Sequence, residues 1–198
     1  MKIYNEVRPL MKTGDIIMFS GEGLIAKIIQ WKTNSKWSHV GMVMSTSMVD
    51  SGNALGRSVE LIESTSILST PDKDTGALFK GVQKHWLSKK LEVYEGEMWW
   101  FPLKKALSND GAMEMYDWLR QTHQNRIPYD LVQCLGAGLD LLDGLCLENE
   151  RDFSELFCSE LVAKALQKAG TLSPKINPSE VVPSEIIDFK CVDKKNAV

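Results

Sequence analysis

Apolar positions follow two rhythms along this chain, bunched or alternating in the first half and helically spaced in the second. Ile16-Ile17-Met18-Phe19, led in by Thr13-Gly14-Asp15 and ended by Ser20-Gly21, predicts a short buried strand. Residues 40–44 and 58–62 predict two more, joined by the polar turn Asp50-Ser51-Gly52-Asn53. Trp99, Trp100 and Phe101 form a further β-type segment stopped by Pro102. Within this half Leu24, Ile25, Ile28 and Ile29 recur at helical spacing, giving an amphipathic helix as far as about Trp31.

Beyond residue 108 the period is helical. Asn109 reads as the cap of a helix through Ala112, Tyr116 and Leu119. After Pro128, the series Leu131, Leu135, Leu139 and Leu142 marks a second helix. Leu161, Ala165 and Ala169 mark a third, with Lys164, Gln167 and Lys168 on its outer face and Gly170 as its stop. Pro183-Ser184-Glu185 opens a last short helix before the segment 189–192. Residues 64–80, rich in Ser, Thr, Asp, Gly and Pro, predict a long surface loop. No repeat or linker interrupts the pattern, so residues 1–198 are expected to form a single α+β domain.

Composition narrows the function classes. The chain is 43% hydrophobic and 25% charged, ordinary for a globular domain, with a formal net charge of −3. That balance carries no basic footprint for nucleic acid and no polybasic stretch for a membrane surface. The N-terminal Met1-Lys2-Ile3-Tyr4-Asn5-Glu6-Val7-Arg8 lacks the apolar core of a signal peptide. The longest apolar stretch, near residues 135–142, is interrupted by Asp140 and is too short to span a bilayer. The expectation is a soluble, cytoplasmic protein without a transmembrane segment. Cys134, Cys146, Cys158 and Cys191 stand 12, 12 and 33 positions apart, which is neither zinc-ligand spacing nor, in a reducing compartment, a disulfide framework.

Three segments carry candidate chemistry. His39 sits at the start of an apolar strand, where an imidazole must be hydrogen-bonded or half exposed. Glu63 lies where the next strand gives way to loop. Glu60, three positions earlier, must point to the opposite face, so only one of the two faces the histidine. Cys158 precedes Leu161 and Val162 in an amphipathic helix. A helix start offers unpaired N–H groups and a dipole that favour a thiolate or an oxyanion. Asp152 and Glu155 resemble a capping box, which would instead start the helix earlier and leave Cys158 in its second turn. A histidine and a thiol aligned by a third group are the general plan of an activated cysteine nucleophile.

Other features are read more plainly. His39, His85, His123 and Cys158 lack paired metal-ligand spacing, so no metal is expected, and His85 and His123 are read as surface residues. Gly136-Ala137-Gly138 lacks the third glycine of a nucleotide fingerprint, and no cofactor is expected. Trp99 and Trp100 must point to opposite faces of their strand, so at most one lines a cleft.

In this order, Gly14-Asp15-Ile16-Ile17, Trp37-Ser38-His39-Val40-Gly41, Ile62-Glu63 and Phe157-Cys158-Ser159-Glu160-Leu161-Val162 resemble the permuted NlpC-like papain-fold proteins. These are the bacterial YiiX and YaeF group, distantly similar to the lecithin–retinol acyltransferases. Gly81-Val82-Gln83, Tyr94-Glu95-Gly96, Pro128-Tyr129-Asp130 and Pro178-Ser179 extend the likeness over roughly residues 12–190. The resemblance implies a circularly permuted papain-like fold, with an antiparallel sheet packed against helices. It implies Cys158 as nucleophile, His39 as base and Glu63 as orienting acid, with Tyr129, Ser38 and Trp37 beside the substrate. The segment 64–80 departs from the group as a polar insertion, read as a cover for the cleft or a mobile loop.

The expected activity is hydrolysis of a peptide-like amide, as in cell-wall peptidases, through an acyl-enzyme. A lipid acyl hydrolase or acyltransferase on the same triad is the alternative, and an idle triad in a small-ligand or peptide-binding module is the third reading.

Overall fold

The computed structural model describes residues 2–50, 55–128 and 157–198. Five strands, β1 (Ile16–Gly21), β2 (His39–Asp50), β3 (Leu55–Thr65), β4 (Gly81–Trp86) and β5 (Gly96–Phe101), form one sheet in the order β4-β3-β2-β1-β5. Every neighbouring pair is antiparallel. The helices are α1 (Lys2–Val7), α2 (Leu24–Lys32), α3 (Leu87–Val93), α4 (Asn109–Gln124), α5 (Cys158–Lys168) and α6 (Pro183–Ile186). The α+β class with an antiparallel sheet therefore matches expectation. The predicted turn at 51–53 and helix at 131–142, with Tyr129, Cys134, Cys146, Asp152 and Glu155, lie outside the described residues.

Strand alternation splits the interior into two layers. Met18, Val40, Met42, Met44, Ile62, Val82 and Phe101 point to the side covered by α4 and α5. Ile17, Phe19, Val43, Val59, Leu61 and Trp100 point to the other side, where Tyr4 from α1 and Leu87 and Leu91 from α3 pack. Trp99 and Trp100 fall in different layers, as their adjacency requires. Helix α5 presents Leu161, Val162, Ala165 and Leu166 to the sheet, the short alanines bringing its backbone close to β2.

Strands β2 and β3 run well beyond the apolar runs that announced them, because their ends pair through polar side chains. The Ser47 and Ser58 hydroxyls meet across the ladder at 2.6 Å. Helix α4 is capped by Ser108, whose hydroxyl accepts from Gly111 N, so Asn109 is the first helical residue rather than the cap.

The Gly14-Asp15 pair has a structural role. Asp15 is buried and accepts from Lys12 N, Leu103 N and Trp100 Nε1, each at 2.9 Å, stitching the start of β1 to the end of β5. Burial pushes its carboxyl up, against the pull of these three hydrogen bonds.

The insertion is tied to the sheet. Lys84 N on β4 donates to Asp72 Oδ2 at 2.9 Å, Lys73 N donates to Lys84 O at 2.7 Å, and Val82 N donates to Ile127 O at 3.0 Å. Asp72 also accepts from Asp74 N, Thr75 N and the Thr75 hydroxyl, and from His123 Nε2 at 2.7 Å. The outer edge of β4 is thus occupied by the preceding loop and by Ile127, just after α4.

At Gly96, φ is +138°, and an added Cβ would run into the Ser20 carbonyl of the facing strand. Gly96→Ala is expected to cost more than about 1 kcal/mol, measured as a lower urea midpoint at unchanged slope.

Candidate active site

The site grows from the diagonal between β2 and β3. Gly41 stands opposite the Glu63 position, which brings the His39 and Glu63 side chains to one face. A Cβ at Gly41 would press on Leu61 and Glu63, so glycine there keeps the face open. His39 Nε2 lies 2.7 Å from Glu63 Oε2. Phe19, in register on β1, packs against the imidazole with centroids 4.9 Å apart, and Tyr94 closes edge-on against Phe19 at 5.0 Å.

Glu63 is wholly buried. Burial alone would raise its carboxyl. The Lys90 charge, the His39 hydrogen bond and the charges of His39 and His85 outweigh it and hold Glu63 well below the ordinary carboxylate range. Because the ionised carboxylate only accepts, His39 Nε2 carries the hydrogen, and the neutral ring presents its lone pair on Nδ1. No hydrogen bond among the described residues engages Nδ1.

Two histidines contradict the surface reading. His85 and His123 are both buried. His85 stands opposite Leu61 on β4, its Nδ1 is 3.2 Å from Pro71 O, and its Nε2 lies 3.3 Å from Glu63 Oε1. Burial lowers its pKa, favouring the neutral ring. Lys90 on α3 is also buried and places Nζ 2.5 Å from the same oxygen. The signal for Lys90 was present in the sequence as a lysine between Leu87, Leu91 and Tyr94, an apolar stripe at helical spacing. His85 carried none, since it follows three residues of no clear period.

Glu60 faces away, as alternation demands, and bonds Ser45 Oγ, Lys73 and Lys84. Ser38 is buried, donating to Phe19 O and accepting from Gly21 N. Tyr94 is bonded to Ser38 through its hydroxyl and pushed up to about 12 by burial, with the Glu63 charge adding, so it stays protonated. Trp37 is buried edge-on against Trp99 and Phe101.

Cys158 is the first residue of α5, with Phe157 in extended conformation as the N-cap. The helix therefore opens at the thiol. Its side chain is fully buried and belongs to the layer of Val40 and Met42, whereas the His39–Glu63 pair lies on the Phe19 and Leu61 side. Among the described residues no group of three or more His, Cys, Asp and Glu side chains could hold a metal ion, and no helix is long and apolar enough to cross a membrane.

These features define an α+β protein with an antiparallel sheet and a histidine paired to a buried carboxylate. More particularly, its fold is that of the crystal structure of metalloprotein yiiX from Escherichia coli O157:H7, with a TM-score of 0.59 at 18% identity over 94% of this chain and 96% of that one. No known family profile matches the chain, and no curated protein matches it in sequence.

The carboxyls of Glu63 and Asp72 are both held below their unfolded values, Asp72 by hydrogen bonds from Lys84 N, His123 and Thr75 that outweigh its burial. Each contributes stability that is present above the unfolded pKa near 4 and lost as pH falls toward the folded one. Thermal melting is expected to decline below about pH 5, and less steeply in Asp72→Asn. Parallel curves for the two proteins would contradict the assignment.

Proposed function

We propose that this chain is a cysteine hydrolase of the amidase or peptidase type, with Cys158 as nucleophile, His39 as base and Glu63 as the orienting acid. The observation that carries the reading is the 2.7 Å His39–Glu63 pair, which turns the lone pair of a neutral imidazole onto Nδ1. The start of α5 at Cys158 adds the helix dipole to the thiol's surroundings.

In this mechanism His39 takes the thiol proton, and the thiolate attacks the substrate carbonyl. The bond to the leaving group breaks as His39 returns the proton to it, leaving a thioester on Cys158. His39 then deprotonates water, hydroxide displaces the thiolate, and the free acid and thiol are regenerated. The chemistry requires Cys158 to meet Nδ1 from the other layer of the sheet, which makes thiol reactivity the direct test.

A lipid-like acyl substrate is the second reading, favoured by α2. Leu24 and Trp31 of this helix are 79% and 80% exposed, and Ile25 is 42% exposed. Gln30 anchors the helix to Gly21 O, beside the Ser38–His39 strand end. An apolar helix face there suits an acyl chain as well as it suits a peptide.

Iodoacetamide labelling of each cysteine across pH, read by mass spectrometry, tests the proposal. Cys158 is expected to label near pH 6 and to lose that reactivity in His39→Ala, because a paired thiol ionises well below the ordinary value of about 8.5. Labelling only above about pH 8, or indifference to His39→Ala, would sink the catalytic reading. A binding module on the same fold would then replace it.

A further inference from the structure

The mechanism uses one oxygen of Glu63, and the other is held by a residue with no assigned role. Glu63 Oε1 has Lys90 Nζ at 2.5 Å and His85 Nε2 at 3.3 Å, all three groups inaccessible to solvent. His85 is a poor counter-charge. Its Nδ1–H is directed to Pro71 O, which in the neutral ring leaves a lone pair on Nε2 facing the carboxylate. Lys90 is thus the permanent cation of the cluster.

A buried carboxylate must be neutralised by a cation or by a proton. If His39 were the sole cation beside Glu63, the two would share one proton far above neutrality, because releasing it would leave the carboxylate buried and uncompensated. His39 would then be locked as imidazolium, unable to serve as a base. With Lys90 in place, Glu63 is compensated whether His39 is charged or not, and the imidazole is free to take up and return a proton.

We propose that Lys90 is a positioning residue of the hydrolase site, a fixed counter-charge on Glu63 Oε1 that leaves His39 able to cycle between its neutral and charged forms. The consequence for catalysis rests on the hydrolase reading above; the electrostatic assignment does not. The groups that bear on His39 and Glu63 are Lys90 and Tyr94 from the α3 end, His85 from β4, and each other across β2 and β3. Asp72 bears on His85 in turn.

The test is the NMR titration of the histidine ring signals in the full chain, the three histidines assigned by single substitution. In Lys90→Met the His39 midpoint is expected to rise by at least about one unit, a tenfold tighter hold on its proton. Lys90→Arg, which keeps the charge, should leave it near the wild-type value. An unchanged or lowered midpoint in Lys90→Met overturns the proposal.

Where Lys90→Met does not fold, the double variant Lys90→Met/Glu63→Gln decides. Recovery of folding once the carboxylate is also removed supports the counter-charge role, and failure of both assigns Lys90 to packing and overturns it. Iodoacetamide labelling of wild-type Cys158 separates the two readings. A shifted His39 titration with an unreactive Cys158 retains Lys90 as counter-charge and removes the hydrolase. A reactive Cys158 with an unmoved titration does the reverse.

Discussion

Everything around the sheet's α3 side is arranged to keep one carboxylate ionised where water does not reach. A lone buried carboxylate is among the costliest groups a protein can hold, and removing one partner from a buried pair costs about 3–5 kcal/mol. Glu63 meets that constraint with His39 on β2 and Lys90 on α3, while the His85 ring on β4 packs against its second oxygen. The demand explains why a lysine is tolerated in the apolar stripe of α3, and why glycine stands at position 41, where a side chain would crowd the carboxylate. The same constraint couples fold to chemistry, since the groups that neutralise Glu63 also govern the proton on His39.

Much of the fold was legible because burial imposes periodicity. The apolar runs at Ile16–Phe19 and Val40–Met44 are interior strand segments, and Leu161, Ala165 and Ala169 do face the sheet. What the pattern missed is short, polar or both. Strand β4 reads Gly81-Val82-Gln83-Lys84-His85-Trp86, and only Val82 and Trp86 are apolar, yet five of its six residues are buried. Several of its polar groups meet neighbours distant in sequence: Asp72 for the Lys84 backbone, Glu60 and Asp74 for its ammonium, and Pro71 for His85 Nδ1. A one-dimensional pattern does not register pairings of that kind. For the same reason His123 passed for a surface residue, although Asp72 holds it inside.

The site was legible in proportion to how local its signals are. Alternation allowed only one of Glu60 and Glu63 to face His39, the resemblance pointed to Glu63, and Glu63 is the one paired with it. The start of α5 at Cys158 settles between two sequence readings of that helix. The apolar stripe around Lys90 hinted at its burial, but its partner Glu63, 27 positions earlier, became visible only when the fold brought α3 to β3. The likeness to yiiX stands at the level of the fold, so the chemistry of this chain rests on its own side chains.

The way β4 is closed has a consequence for solubility. An edge strand offers a ready row of backbone donors and acceptors to any other extended chain. Here Asp72 and Lys73 of the polar insertion, with Ile127 beyond α4, occupy that row, so the insertion forms part of a hem on the sheet. Trimming it would uncover the row and offer it to other extended chains. The segment that looks most dispensable in the sequence is one that closes the edge of the sheet.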